Sequence, residues 1–160
     1  MRFTKPFRLL ALSRRQLALG ALSLLALVPT IGAPAHAQEA TPEFRIVVHA
    51  SNAARSVERS FLADALLKKV TRWEHGETIR PADLLPATAA RRAFSERVLK
   101  RSVGAVRSYW QQKIFSGRDV PPPELASDDE VLVFVAKNPG AVGYVSGAAK
   151  LKGVKELQIK

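Results

Sequence analysis

The residues best suited to chemistry in this sequence would bind an anion at the start of a helix. A helical pattern begins near Thr88 and carries Arg91 and Arg92 in its first turn. Free backbone amides and the helix dipole favour negative charge at such a position, and Thr88 adds a hydroxyl. Ser51 and Asn52, in the loop after the first predicted strand, could complete the site from the opposite side. The pattern therefore indicates an oxyanion site.

The same residues also fit a simpler interpretation. Thr88 belongs to the residue types preferred at helix N-caps, and Arg91 and Arg92 would then form a solvated helix face. No glycine stands between Leu84 and Ala90 to let the backbone approach an anion closely. Both interpretations stay open, because a cap and an anion site use the same end of a helix.

The sequence offers no constellation for catalysis or for a metal or cofactor. It contains no cysteine, and His49 and His75 are the only histidines after residue 37. A zinc site takes three or four ligands, so both histidines are interpreted as ordinary polar positions. Asp128, Asp129 and Glu130 fall in the first turn of a predicted helix, where capping and the helix dipole account for them. We therefore expect no enzyme, no metal and no cofactor.

The first 37 residues have the composition of an export signal. They carry five basic and no acidic residues, and the apolar run Leu17–Val28 precedes Pro29. A membrane-spanning helix needs about 20 apolar residues, so this run predicts a cleaved secretory signal peptide over residues 1–37 rather than an anchor. Cleavage could follow Ala35 or Ala37, and the paired arginines at 14 and 15 resemble a twin-arginine motif. We expect residues 38–160 to form a domain in a bacterial periplasm.

The formal net charge of +11 is divided between this segment and the domain. Beyond residue 37 there are 20 basic and 14 acidic residues, a balance of +6. Export makes nucleic acid an unsuitable partner, and we expect membrane contact only through the signal segment, if it stays uncleaved. Anionic lipid, polyphosphate or an acidic protein would suit the basic helical region, although a solvated face is the simplest interpretation. This region comprises Arg91, Arg92, Arg97, Lys100, Arg101 and Arg107.

The hydrophobic pattern predicts the elements that position these residues. Strands are predicted at Phe44–His49, 77–80, 141–145 and 154–159. Helices are predicted at 58–67, from Thr88 onward with a break at 102–104, and after a capping box that starts at Ser127. The apolar stripe of the long middle segment includes Trp110 and Ile114. The resulting order, β-α-β-α-α-α-β-β, predicts one α/β domain with a small central sheet flanked by helices.

An ordered series of short motifs resembles the phosphate-type substrate-binding proteins of ABC transporters. The series comprises Trp73-Glu-His-Gly76-Glu-Thr-Ile-Arg-Pro81, Phe94, Tyr109-Trp110, Ile114-Phe115-Ser-Gly117, Pro122-Pro123 and Asn138-Pro-Gly-Ala-Val-Gly-Tyr144. It covers about Phe44 to Ser146 and is most similar to short, single-lobe relatives of that family. The resemblance implies a single periplasmic-binding-protein-like lobe, in which loop amides and hydroxyls at helix N-termini hold an oxyanion.

The resemblance also has consequences for ligand and partner. It implies binding of phosphate or another oxyanion, weakened by the lack of a second lobe, and cooperation with a transporter permease or another envelope protein. The family carries a Ser-Gly-Thr type loop before the helix at Thr88, whereas this chain has Leu84-Leu-Pro-Ala-Thr-Ala-Ala90. The alternative function is therefore an envelope interaction module that kept the lobe and lost the ligand.

Overall fold

Two strands of mostly apolar residues form the centre of the domain. The structure is a computed structural model that describes residues 43–160, so the predicted signal peptide lies outside the described residues. Strand β1 (Phe44–His49) pairs antiparallel with β6 (Ala141–Ser146), and Val48 lies opposite Val142. Both valines are fully buried, as is typical of strands that are covered on both faces.

Three further strands complete a mixed sheet: β2 (Ser56–Val57), β3 (Arg80–Pro81) and β7 (Val154–Ile159). The order across the sheet is β2-β7-β1-β6-β3. Strand β1 runs antiparallel to both of its neighbours, whereas the other four strands all run in one direction. A separate parallel pair joins β4 (Asp83–Leu84) to β5 (Glu124–Leu125). Consequently the loop after β1 emerges at the opposite end of the sheet from the loop after β6.

The described residues contain four α-helices: α1 (Arg59–Leu66), α2 (Ala89–Phe94), α3 (Val103–Phe115) and α4 (Asp128–Lys137). Helix α2 continues into a π-helical segment, Ser95–Leu99, which ends where Lys100 adopts a left-handed conformation with φ 53°. Ser102 then caps α3 by accepting a hydrogen bond from the Ala105 amide at 3.1 Å. The break therefore falls at 100–102 rather than at the predicted 102–104, and Gly104 lies inside α3.

Helices cover both faces of β6. Neighbouring side chains on a strand point to opposite sides, so Gly143 and Tyr144 contact different helices. On one face the Phe94 ring stacks on Tyr144 with the centroids 3.9 Å apart, and Phe44 packs edge-on against Phe94 at 5.6 Å. On the other face α4 approaches so closely that a Cβ on Gly143 would lie 2.9 Å from Cγ1 of Val131. The predicted α/β class, with a small sheet flanked by helices, is confirmed.

The start of α4 follows the capping signal of the sequence. The Ser127 hydroxyl accepts a hydrogen bond from the Glu130 amide at 3.3 Å, and the Glu130 carboxylate accepts one from the Ala126 amide at 2.8 Å. The helix ends before Asn138, at the predicted Asn-Pro-Gly turn. None of the helices within residues 43–160 has both the length and the apolar character needed to cross a bilayer.

Trp110 tests the orientation of α3. Its side chain is 6% exposed, whereas Ile114, on the same predicted stripe, is 50% exposed. Trp110→Ala should lower the free energy of unfolding by about 3–5 kcal/mol, as for a large buried aromatic side chain. The matched variant Ile114→Ala should change it by less than about 1 kcal/mol, because an exposed side chain loses little on truncation. Urea denaturation measures both values, and equal losses would contradict this orientation.

Candidate functional site

The direction of the strands defines the end of the sheet at which a ligand is expected. Strands β3 and β6 run parallel, and β4 follows β3 after Ala82, so the chain leaves β4 and β6 at the same end. Strand β1 begins at this end, because Phe44 lies opposite Ser146. Ligands of open α/β sheets bind outside the carboxyl ends of the strands. We refer to this end as the carboxyl end of the sheet.

Helix α2 follows β4 at the carboxyl end, and Thr88 is its N-cap. The Thr88 hydroxyl accepts a hydrogen bond from the Arg91 amide at 3.2 Å and donates one to the Leu85 carbonyl at 3.1 Å. The capping interpretation of Thr88 is therefore confirmed. The amides of Ala89 and Ala90 have no carbonyl partner within the helix, so they are the donors that an anion could use here.

Charge distinguishes the start of α2 from the start of α4. The first turn of α2 has no acidic residue, and the exposed Arg92 donates from Nη1 to the Ala87 carbonyl at 2.8 Å, next to the N-cap. The first turn of α4 carries Asp128, Asp129 and Glu130, and these carboxylates repel an anion. Of these two helix starts, only that of α2 suits a negatively charged ligand.

Arg91 does not face the start of α2. Its side chain is 3% exposed, and its Nη1 lies 2.7 Å from Oδ2 of the buried Asp83. Neither Nε nor Nη1 makes a hydrogen bond of acceptable geometry among the described residues, so charge is the main attraction within the pair. The prediction that Arg91 adds free positive charge to an anion site is therefore wrong, because a buried carboxylate already compensates it. Arg91 instead ties α2 to β4.

The Asp83 carboxylate also joins β6 to β4 and α2. Asp83 Oδ1 accepts hydrogen bonds from the Tyr144 hydroxyl and from the Leu84 amide. Burial raises the pKa of Asp83, while the charge of Arg91 and these two hydrogen bonds oppose that rise. Burial and then the charge of Asp83 raise the pKa of Tyr144, so its phenol keeps its proton and donates. In the cluster of Asp83, Arg91 and Tyr144, the positive charge of Arg91 compensates the negative charge of Asp83. The cluster therefore has a structural role.

Ser51 and Asn52 lie at the other end of the sheet. They follow the carboxyl terminus of β1, which is antiparallel to β6, and a six-residue strand such as β6 spans roughly 17 Å between its terminal Cα atoms. Ser51 Oγ lies 2.7 Å from Nδ1 of His49, and the Asn52 side chain accepts a hydrogen bond from the Ala54 amide at 2.9 Å. The prediction that these two residues complete a site with Thr88 is wrong, because β1 runs antiparallel to β6 and carries them to the end of the sheet opposite α2.

The carboxyl end contains a contact that the sequence did not indicate. Asp128 accepts hydrogen bonds from both the amide and the hydroxyl of Ser146, so its carboxylate joins the start of α4 to the end of β6. Capping alone therefore does not account for Asp128. The two residues are 18 positions apart, and no periodic pattern links positions at that distance. Ser146 is consequently engaged by a carboxylate rather than available to an anion.

Within residues 43–160, no three histidine or acidic side chains come together as a metal site would require. His49 contacts Ser51, and Nε2 of His75 lies 3.4 Å from the carboxylate of Glu77. Arg97, from the basic helical region, pairs at 3.0 Å with Glu43 on an exposed surface. The two candidates that remain together at the carboxyl end are Thr88 and Arg92.

Neighbouring arginines on α2 test this assignment of roles. Arg91→Ala should lower the free energy of unfolding by about 3–5 kcal/mol, because it leaves the Asp83 carboxylate buried without its partner. The matched variant Arg92→Ala should change it by no more than about 0.5 kcal/mol, as for an exposed residue. Chemical denaturation of both variants measures the difference. Similar losses in the two variants would contradict the buried pair.

Solved structures of phosphate-transport proteins share this fold. An ABC-type phosphate transport receptor from Vibrio cholerae matches with a TM-score of 0.57 and 20% identity, over 73% of this chain and 46% of its own. A substrate-binding protein with bound phosphate from Clostridium perfringens, assigned to a phosphate ABC transporter, gives 0.55 and 16%, over 73% and 44%. PstS from Borrelia burgdorferi gives 0.54 and 9%, over 74% and 47%.

These likenesses are structural. No family model matches the sequence, and no curated protein does. The chain spans less than half the length of each of these three structures. The resemblance found in the sequence motifs is confirmed at the level of the fold: the chain has the periplasmic-binding-protein-like α/β fold of phosphate-transport receptors, in a partial, single-lobe form.

Proposed function

We propose that this chain is a non-enzymatic, extracytoplasmic solute-binding-like protein that binds phosphate or another oxyanion weakly at the start of α2. The observation that carries the proposal is a helix start at the carboxyl end of the sheet with no acidic residue in its first turn. The amides of Ala89 and Ala90 would donate to the anion, and the guanidinium of Arg92 would add charge. Thr88 would position these donors as the N-cap.

The shape of the domain explains why such binding would be weak. The loop before α2 has no glycine, so the backbone cannot wrap around the anion. A site formed by one lobe also leaves the anion in contact with water, where charge contacts contribute much less than in a closed cleft. The proposed site therefore binds phosphate in the millimolar range, and a transporter permease or another envelope protein is the proposed protein partner.

Phosphate titration monitored by thermal unfolding tests the ligand. At ten times the dissociation constant, a ligand of the folded state stabilises it by about 1.4 kcal/mol, which is around 5 °C for a domain of this size. Arg92→Ala should remove most of the shift, whereas Arg107→Ala, an exposed arginine on α3, should retain it. Sulfate at matched ionic strength should raise the melting temperature less than phosphate does.

Amide chemical shifts locate the same site independently of stability. In a nitrogen-15 correlation spectrum, phosphate should move the Ala89 and Ala90 signals, while Ser51 and Asn52 stay unchanged at the other end of the sheet. A melting shift without movement of the Ala89 and Ala90 signals would contradict the α2 site. The absence of any shift at tens of millimolar phosphate would favour the alternative, an interaction module without ligand.

The export route is a separate part of the proposal. We propose that residues 1–37 are a signal peptide and that cleavage follows Ala37, because Ala35 and Ala37 supply the small residues that a signal peptidase selects. The intact mass of the protein recovered from the periplasm should correspond to a chain that starts at Gln38. A mass that retains residues 17–31 would contradict cleavage and favour a membrane anchor.

A further inference from the structure

The C-terminal end of α3 exposes three apolar side chains. Phe115 is 89% exposed, and Val120 and Ile114 are 60% and 50% exposed. They lie at the end of α3 and in the turn that follows it. All three fall on this one short segment, and exposed apolar side chains that are grouped mark interaction surfaces more often than single ones do. We refer to Ile114, Phe115 and Val120 as the apolar tip.

Hydrogen bonds hold the turn of the apolar tip in place. Gly117, with φ 65°, donates from its amide to the Ile114 carbonyl at 3.0 Å. Lys68, from the end of α1, donates to the Val120 carbonyl at 2.8 Å and pairs with Asp119 at 3.2 Å. The apolar tip is therefore part of a structured turn, and the one carboxylate within that turn is paired with a lysine.

Basic residues lie on both sides of the apolar tip along the chain. From Lys100 to Arg118 the chain has five basic residues and no acidic one. Arg101 and Lys113 lie on one side of α3, since they approach the Tyr109 ring to 5.5 and 5.6 Å from its centroid. Arg118 is exposed in the turn itself. The apolar tip is consequently flanked by Lys113 and Arg118, whereas the other three basic residues lie further back, in α3 or just before it.

We propose that the apolar tip docks on a lipid bilayer that contains anionic lipid. Such a bilayer supplies negative headgroups for Lys113 and Arg118 and an apolar interior for Phe115. Polyphosphate would match only the charges, and an acidic protein surface would not bury the phenylalanine. One aromatic ring and a few basic residues give reversible binding rather than permanent anchoring. This contact is additional to any made by the signal segment, and it does not rest on the anion site at α2.

The lack of cysteine in the chain allows the contact to be measured at a single position. Ser116→Cys, labelled with an environment-sensitive fluorophore, places a probe beside Phe115. Val133→Cys places the same probe on α4, at a position that is 51% exposed. The full chain is mixed with phosphatidylcholine vesicles, with and without phosphatidylglycerol. We expect a blue shift of the emission only at Ser116→Cys and only with the anionic lipid.

Second substitutions in the labelled Ser116→Cys chain test each half of the surface. Phe115→Ser should raise the lipid concentration at half-maximal shift at least about tenfold, because the ring no longer enters the bilayer. Lys113→Gln and Arg118→Gln should each raise it about fivefold. Arg55→Gln, an exposed arginine before β2, should leave it unchanged. Residues 17–28, the apolar run of the signal segment, are the same in every variant. Differences in lipid binding between variants therefore arise from the substituted residues.

Several outcomes would overturn the proposal. These are no shift at Ser116→Cys with anionic vesicles, an equal shift at Val133→Cys, or an equal shift with phosphatidylcholine alone. A shift that is unaffected by Phe115→Ser would exclude burial of the ring. If the tip instead binds an acidic protein, anionic vesicles will leave the Ser116 probe unchanged.

Discussion

The buried carboxylate of Asp83 joins three elements of the fold at one point. It accepts hydrogen bonds from the Leu84 amide and the Tyr144 hydroxyl, and it faces the guanidinium of Arg91. A buried charge is tolerated only when it is compensated, so α2 must turn Arg91 inward. Phe94, one turn further along α2, stacks on Tyr144 and closes the cluster. The rotation of α2 about its axis follows from these contacts.

That rotation decides what the start of α2 presents to solvent. Successive residues of a helix are separated by about 100° around the axis, so burying Arg91 leaves Arg92 on the outside. Thr88 bonds to the amide of Arg91 and to the carbonyl of Leu85, and it is therefore fixed as a cap. The charge available to an anion at this end comes from backbone amides and a single arginine, which is consistent with the weak binding proposed.

The domain carries two separate cationic surfaces, and different groups accompany the positive charge in each. The start of α2 combines positive charge with free amides, which suits a small hydrated anion. The end of α3 combines positive charge with Phe115, which is 89% exposed and suits an anionic surface with an apolar interior. The first turn of α4 is acidic, and Asp128 is engaged by Ser146. The charge thus differs from one helix end to another, and the net charge of the chain does not predict the charge of any one of these surfaces.

Local features of the sequence determined the α-helices and the three long strands of this protein, whereas long-range pairing decided its short strands and where its candidate residues lie. The caps at Thr88 and Ser127 were predictable, because a cap and its amide partner are three residues apart. The strand at Phe44–His49 was predictable from its apolar residues, and the ordered motifs indicated the fold. The position of Ser51 was not, because the direction of β1 depends on pairing with strands about a hundred residues away. The burial of Arg91 was not either, because a basic residue appears identical in sequence whether it faces water or a buried carboxylate, and only the packing of α2 on β4 and β6 separates the two.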